Sequence, residues 1–437
     1  MKLGLGHSLS GGRVSGGGAP SSSGFIFTVK TDNTGVSAND EFKIPLVSNG
    51  AIDLVVDWGD SSSDVITAWN DAALTHTFAA AGTYTIEITA TTGTLRGWTF
   101  GWSGDKVKMT DISQWGDFNW TNSSAFTQCA NMTCTATDVP NITGNSMQYG
   151  FYGCTLWNPD TAGSWDVSSC TNLNSIFIFN SSFNQDIDAW DVSNVTDFGG
   201  MFYGTAFNYP LPNWDTGSGT SFNQMFFDCS AFNQDIDMWD MSSALSLYAM
   251  FYNCTAFNQD LNSWNTSSVT SMSSVFTGCT VFDGDISSWN VSSCTNFGNA
   301  FQATAFNQDI TGWNVSSGTS FAYMFRAATS FDQDISGWNV ANATNMTNML
   351  RDATAFNQNL SSWDISSVSN LGSFLRNVTL STANYDALLI GWDAQAVVSG
   401  LTPNFGNSTY TGGGAAATAR ANLIASDSWT ITDGGIA

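Results

Sequence analysis

The chain has 437 residues, more than one compact core usually spans, and carries a formal net charge of −25 from 11 Lys and Arg against 36 Asp and Glu. No Lys or Arg lies between Lys108 and Arg326, so the surface repels a phosphate backbone and nucleic-acid binding is excluded. Abundant Gly, Ser, Thr and Asn point to short strands and many turns rather than helical bundles, recurring Trp and Phe argue against disorder, and no run of 18 apolar residues exists for a membrane helix.

Residues 1–24 form a Gly/Ser tract, GLGHSLSGGRVSGGGAPSSSG, without the continuous apolar core of a secretory signal. It reads either as a loose tail or as an anchor that orders against a partner. Residues 25–92 change character. FIFTVK, EFKIPLV, AIDLVVDW and GTYTIEITA are short alternating stretches split by Gly, Asn and Ser, which predicts a β-sandwich. VDWGDSSSD followed by HTFAAAGTYTIEI resembles the PKD-like immunoglobulin-type domain. Residues 93–110, with TTGTLRGWTFGWSG, read as a connector and N-terminal cap.

Residues 111–380 are periodic. Phe recurs at 183, 207, 232, 257, 282, 306, 331 and 356, and a Trp follows seven residues after each, from Trp190 to Trp363. The unit of about 25 residues cannot bury two large aromatics alone, so neighbouring units must stack, each ring lying on its equivalent in the next. Degenerate copies extend the array upstream, with Trp165, then Val139 in the Trp place, then Trp115, to give about ten coils. Cys129 and Cys154 share one register and Cys229, Cys254 and Cys279 occupy successive rungs, which predicts small buried thiols, with disulfides between adjacent rungs as the alternative although three in a row cannot all pair.

The units MFYNCTAFNQDLNSWNTSSVTSM and MFYGTAFNYPLPNWDTGSGTSF resemble those of the BspA-like leucine-rich-repeat surface proteins of bacteria. That resemblance implies a leucine-rich-repeat-like solenoid with one short parallel strand per coil, a cell-surface or secreted setting linked to adhesion, and no catalysis. Residues 381–437 would close the open end as a small α/β cap: STANYDALLIGWDAQ as a helix N-capped by Ser381 or Thr382, GGGAAATARANLIAS as a second helix, and WTITDGG as a strand.

Candidate chemistry is sparse. His7 lies in the Gly tract and His76 in the PKD-like turn, so no Ser-His-Asp or Cys-His constellation can be drawn. Asp186, Asp235, Asp260, Asp285, Asp309 and Asp334 fill one register of the repeat. They read as turn caps, with a Ca²⁺ ladder as the alternative and a glycosidase pair as the third choice, since a repeated rung gives similar rather than contrasting carboxylates. The neighbouring Asn184, Asn233, Asn258, Asn307 and Asn357 read as a structural amide ladder, and Asp57 and Asp60 as turn stabilisers or, as the alternative, as holding an ion. Arg326, Arg351 and Arg376 recur at 25-residue steps and pair with nearby acids or offer a spot for an acidic partner. No catalytic residue and no cofactor is assigned. The expected function is non-enzymatic adhesion or recognition of a host-surface glycan or protein by a rigid scaffold. Display on a virion, with the N-terminus held by other virion proteins, is preferred to a secreted bacterial adhesin; a polysaccharide-degrading virion enzyme is the second alternative, and self-association is left open.

Overall fold

A computed structural model describes residues 23–49 and 52–437. The Gly/Ser tract of residues 1–24, with His7, lies outside the described residues except for Ser23 and Gly24.

The N-terminal unit is built from β1 (Phe25–Lys30), β2 (Glu41–Lys43), β3 (Leu54–Asp57), β4 (Ser63–Ile66), β5 (Thr75–Thr77) and β6 (Thr83–Ala90). Alternation in FIFTVK turns Phe25, Phe27 and Val29 inward, all fully buried, and β1 pairs antiparallel with β6 so that Phe27 faces Ile86. β2 and β5 form a separate two-stranded layer, and Phe42 on β2 meets Phe27 at 5.9 Å between ring centroids.

This unit does not end where the alternating segments stop. β7 (Met109–Gln114) pairs antiparallel with the free edge of β1, and β9 (Thr133–Cys134) adds to β7 in parallel, giving the order β4-β3-β6-β1-β7-β9. A parallel pair, β8 (Asn119–Trp120) with β10 (Asn141–Ile142), follows. The segment read as a connector is therefore packed structure. Leu95, Trp98 and Phe100 are buried, Leu95 bridges in parallel to Phe118, and the Trp98 ring lies 6.1 Å from Phe126. Within it Lys108 is fully buried, its ammonium donating to the Ala38 carbonyl at 2.7 Å, the Glu41 carbonyl at 2.8 Å and Ser37 Oγ at 2.9 Å. Asp105, equally buried, accepts from the N–H groups of Val36, Ser37 and Lys43. A charge in the interior persists only when ringed by such partners, so the pair fastens loop 35–43 against the start of the repeats.

From residue 146 onward successive repeats are joined in parallel, one bridge per repeat, through Ser146, Asn172, Asp197, Ser221, Ser246, Ser271, Asn296, Ser320, Asn345 and Asn370. The expected strand per coil is reduced to that single residue, and the reason is the backbone beyond it. In 247–254 the N–H groups of Leu247, Ala249, Phe251 and Asn253 donate to Ser271, Ser273, Val275 and Thr277 of the next repeat. Those of Met250, Tyr252 and Cys254 donate three residues back, closing three chained β-turns. Ala249 and Asn253, the third residues of two of these turns, have φ of 52° and 56°, and the pair recurs as Gln224/Asp228, Ser274/Gly278, Asn299/Ala303 and Tyr323/Ala327.

The interior is a set of ring ladders. Phe232 stacks on Phe257 at 5.9 Å and 9°, and Phe257 on Phe282 at 5.9 Å and 10°. A second file, Phe226–Phe251–Phe276, is spaced at 5.7 and 5.5 Å, and Trp264, Trp289, Trp313 and Trp338 form a third. Each indole N–H from Trp190 to Trp363 donates to a backbone carbonyl of the preceding repeat, as Trp264 does to Ile236 at 3.0 Å. The upstream reading needs one correction. Val139 is 39% exposed and takes no Trp place; Trp115 instead contacts Trp165 directly, edge to face at 5.7 Å, because the Asp138 carboxylate turns to accept the N–H groups of Trp115 and Gly116.

The array ends on α1 (Thr382–Asp393), β11 (Thr409–Tyr410), α2 (Ala415–Ala425) and β12 (Gly435–Ile436). Ser381 caps α1 by accepting from Asn384 N–H at 3.3 Å. The helix imitates a further repeat: Trp392 donates its indole N–H to Leu360 and Gln395 its amide to Trp363. WTITDGG is not a strand. Trp429 is buried with its indole N–H on Val398, Thr432 makes one bridge to Asn404, and only Gly435–Ile436 pairs, with β11. The Asp433 side chain, 3% exposed, is held by Arg420 at 2.7 and 3.1 Å and by the Tyr385 hydroxyl at 2.7 Å. The whole is a β-rich repeat protein with two C-terminal helices.

Candidate recognition surface

The repeated acidic register is occupied with local structure. Asp186, Asp235, Asp285, Asp309 and Asp334 each accept the N–H two residues on, from Asp188, Asp237, Ser287, Thr311 and Ser336, at 2.9–3.1 Å. Asp260 differs, taking the N–H of Asp285 in the next repeat at 2.8 Å. Five of the six are exposed and Asp285 is half-buried. The Thr311 hydroxyl and N–H hold Asp309 below the usual carboxylate range, and those of Ser336 do the same for Asp334. Among the described residues no three His, Cys, Asp or Glu side chains gather as a metal cage.

The amide ladder is continuous and has a direction. Asn158 Oδ1 accepts Asn184 N–H, Asn184 that of Asn208, and the series runs through Asn233, Asn258, Asp283, Asn307, Asp332 and Asn357 to Ser381 at the mouth of α1. Asp substitutes freely at 283 and 332 because only an acceptor is required. Beside it, the amides of Gln234, Gln259, Gln333 and Gln358 donate to the carbonyl one repeat back.

In the N-terminal unit His76 Nε2 lies 2.9 Å from Asp60, with its ring stacked on Trp58 at 4.6 Å. Asp57 accepts Gly59 N–H, and Asp60 accepts both the hydroxyl and the N–H of Ser62, which hold it down to about 2. These contacts close a turn. All eight cysteines are free; Cys229, Cys254 and Cys279 point at Phe carbonyls of the preceding repeat, and burial pushes the Cys229 thiol up to about 12. A shallow depression of about 370 Å³ is lined by Cys134, Thr135, Ala136, Thr137, Asn158, Asp160 and Thr161. It presents one carboxylate and a thiol that burial raises to about 12, neither a contrasting acid pair nor a nucleophile with a base.

The reading of residue types found only the arginine end of one column of the surface. Backbone bonds from Gln128 N–H to Tyr152, Gly153 to Ile178, Phe179 to Tyr203, Gly204 to Phe227 and Asp228 to Tyr252 place those five acceptor residues in register. The same pattern continues through Thr277 and Gln302 to Arg326, Arg351 and Arg376. The column is thus aromatic at its N-terminal end and cationic at its C-terminal end. Tyr203, Phe227 and Tyr252 stack at 4.3 and 4.4 Å, half-buried, and exposed Phe179 and Trp102 flank the row. The signal was the residue after each buried Phe or Leu, in MFY, MFF, MFY, VFT, AFQ, MFR, MLR and FLR.

Among known families, the model described as "Mycoplasma protein of unknown function, DUF285" matches residues 119–218, 201–285 and 270–388. No curated protein and no solved structure matches the chain.

Proposed function

We propose that this chain, which belongs to the DUF285 family over the greater part of its length, is a non-enzymatic recognition protein displayed outside the cell. In this reading its repeats form a leucine-rich-repeat-like solenoid and residues 25–92 serve as a PKD-like spacer that carries the solenoid away from its attachment point. The observation that supports it best is the allocation of polar groups: carboxylates and amides in the repeated registers are spent on turns and on the neighbouring repeat, while whole columns of side chains are offered outward at one residue per repeat. Such a surface binds an extended partner by many equivalent contacts rather than enclosing and transforming a small one.

The partner is a host-surface glycan or protein, and the setting is a virion or, as the alternative, a bacterial surface. Fluorescently labelled full-length protein should bind host cells or their isolated envelope polysaccharide without releasing reducing ends. Release of reducing ends would replace this reading with the polysaccharide-degrading one. Mass spectrometry of purified particles assigns the carrier: recovery with capsid and tail proteins supports the virion, recovery only in cell-envelope fractions the bacterial adhesin.

A further inference from the structure

We infer that the column ending in Arg326, Arg351 and Arg376 is a binding site for an acidic polysaccharide lying along the stack of repeats. This rests on the recognition reading and names the ligand class and the site.

These three residues are the whole positive charge of residues 109–376, in a chain of net charge −25. They are not scattered. The N–H groups of Ala303, Ala327 and Asp352 each bond the carbonyl of the next arginine in turn, at 2.8, 2.8 and 2.9 Å, so the side chains leave equivalent positions of adjacent repeats. Parallel neighbours lie about 4.8 Å apart, a separation at which three like charges repel unless an anion lies across them. The protein supplies little of that anion. Arg351 Nε meets Asp352 at 3.1 Å in a half-exposed pair, Arg326 lies over the Tyr323 ring at 5.8 Å, and among the described residues neither Arg326 nor Arg376 makes an ion pair.

The geometry also selects the class of partner. A peptide would add as a strand only where backbone groups are free. Here the N–H groups of the arginines bond Tyr323, Asn348 and Ser373, and their carbonyls accept from the preceding repeat. Recognition must run through side chains alone, from a row of cations toward a row of aromatic rings one residue per repeat. A linear polymer carrying regularly spaced carboxylates or sulfates matches that row; guanidinium groups bind such anions as planar forks.

Asp352 is the built-in competitor. One of its oxygens takes Arg351 and the other accepts the Asn377 amide at 2.6 Å. Its φ of 63° suits Asn as well as Asp, so Asp352→Asn removes the charge without disturbing the turn.

The full chain is titrated with polygalacturonate, dextran sulfate, neutral dextran and poly-glutamate. The two acidic polysaccharides should bind with an affinity that falls as salt rises, and neutral dextran should not. Exposed Arg376→Ser should weaken binding about tenfold, the triple Arg→Ser variant should abolish it, and Asp352→Asn should strengthen it. Unchanged binding in the triple variant, or weaker binding in Asp352→Asn, overturns the site. Equal binding of poly-glutamate overturns the glycan assignment in favour of an acidic protein. Attachment to host cells that survives in the triple variant removes this site but leaves the recognition function standing, whereas absence of any binding to cells or polysaccharides removes both.

Discussion

Ala303 and Ala327 each hold a φ of 57° at the third residue of a β-turn, where Gly278 sits at 74° in the same register. A Cβ in the left-handed region costs about 1 kcal/mol, and both alanines are only half-buried, so little packing opposes its removal. Ala303→Gly and Ala327→Gly should each raise stability by about 0.5–1 kcal/mol in denaturant unfolding. Gly278→Ala should lower it by about 1–2 kcal/mol, since the added carbon would also fall on Asn253 Oδ1. The Asx turns give a second expectation at this scale. Serine or threonine hydroxyls and N–H groups hold Asp166, Asp191, Asp240, Asp309, Asp334 and Asp364 below the ordinary carboxylate range, and Ser62 holds Asp60 down to about 2. Their native pKa values lie below the unfolded ones, so the stabilisation is full above about pH 4 and is lost as pH falls toward about 2. The melting temperature should be level from neutrality to about pH 4 and then drop, less steeply in a Ser168→Ala, Ser193→Ala, Ser366→Ala variant. A flat profile down to about pH 2 would contradict this.

Among elements, the junction at residues 93–114 was the least legible. Its Trp98 and Phe100 follow no period, and β7 belongs at once to the sheet of the N-terminal unit and to the beginning of the repeats. Period-finding sees only what recurs, whereas this segment has to match two different neighbours. The same limit explains Val139, placed by counting where the first repeats have already diverged, and the buried indoles of Trp120, Trp157 and Trp165, which find no acceptor. WTITDGG alternates like a strand, yet its side chains are taken by the cap interior, Trp429 by Val398 and Asp433 by Arg420. The helices of that cap were read correctly because Ser381 and the Gly412–Gly414 run mark their starts. Lys108 carries the prediction for the junction. Lys108→Met keeps the stem but removes the ammonium from the Ala38 and Glu41 carbonyls, leaving them only the Glu41 N–H and the Ser37 hydroxyl, and takes away the buried charge that Ser37 Oγ links to Asp105. It should cost about 3 kcal/mol in urea unfolding, while Lys106→Met, which loses the Trp102 carbonyl and the Gln128 side-chain oxygen near the surface, should cost less, about 1 kcal/mol.

For the whole molecule the ladders were visible in the spacing of Phe and Trp, because burying large rings in a small unit leaves stacking as the only outlet. Of the surface only the 25-residue step of Arg326, Arg351 and Arg376 was visible, since outward side chains obey no packing rule and the aromatic half of that column shows only once register is known. With the acidic register committed to turns, a chelator should leave the melting temperature unchanged, and adding Ca²⁺ should not raise it. A calcium-dependent rise would return Asp186, Asp235, Asp260, Asp285, Asp309 and Asp334 to the role of ion ligands.

The Oδ1-to-N–H series from Asn158 to Ser381 points one way throughout, and the last acceptor is answered by a helix start rather than by another repeat. The two ends are specialised, and between them the inward files repeat from unit to unit while the outward column changes from aromatic to arginine. Excising residues 257–281, one full period, would join Ala256 to Phe282 and leave every file of side chains unbroken, shorter by a single step. Recombination between copies can therefore lengthen or trim this molecule as one adjusts a ruler, changing its reach and its number of footholds while both terminal fittings stay as they are.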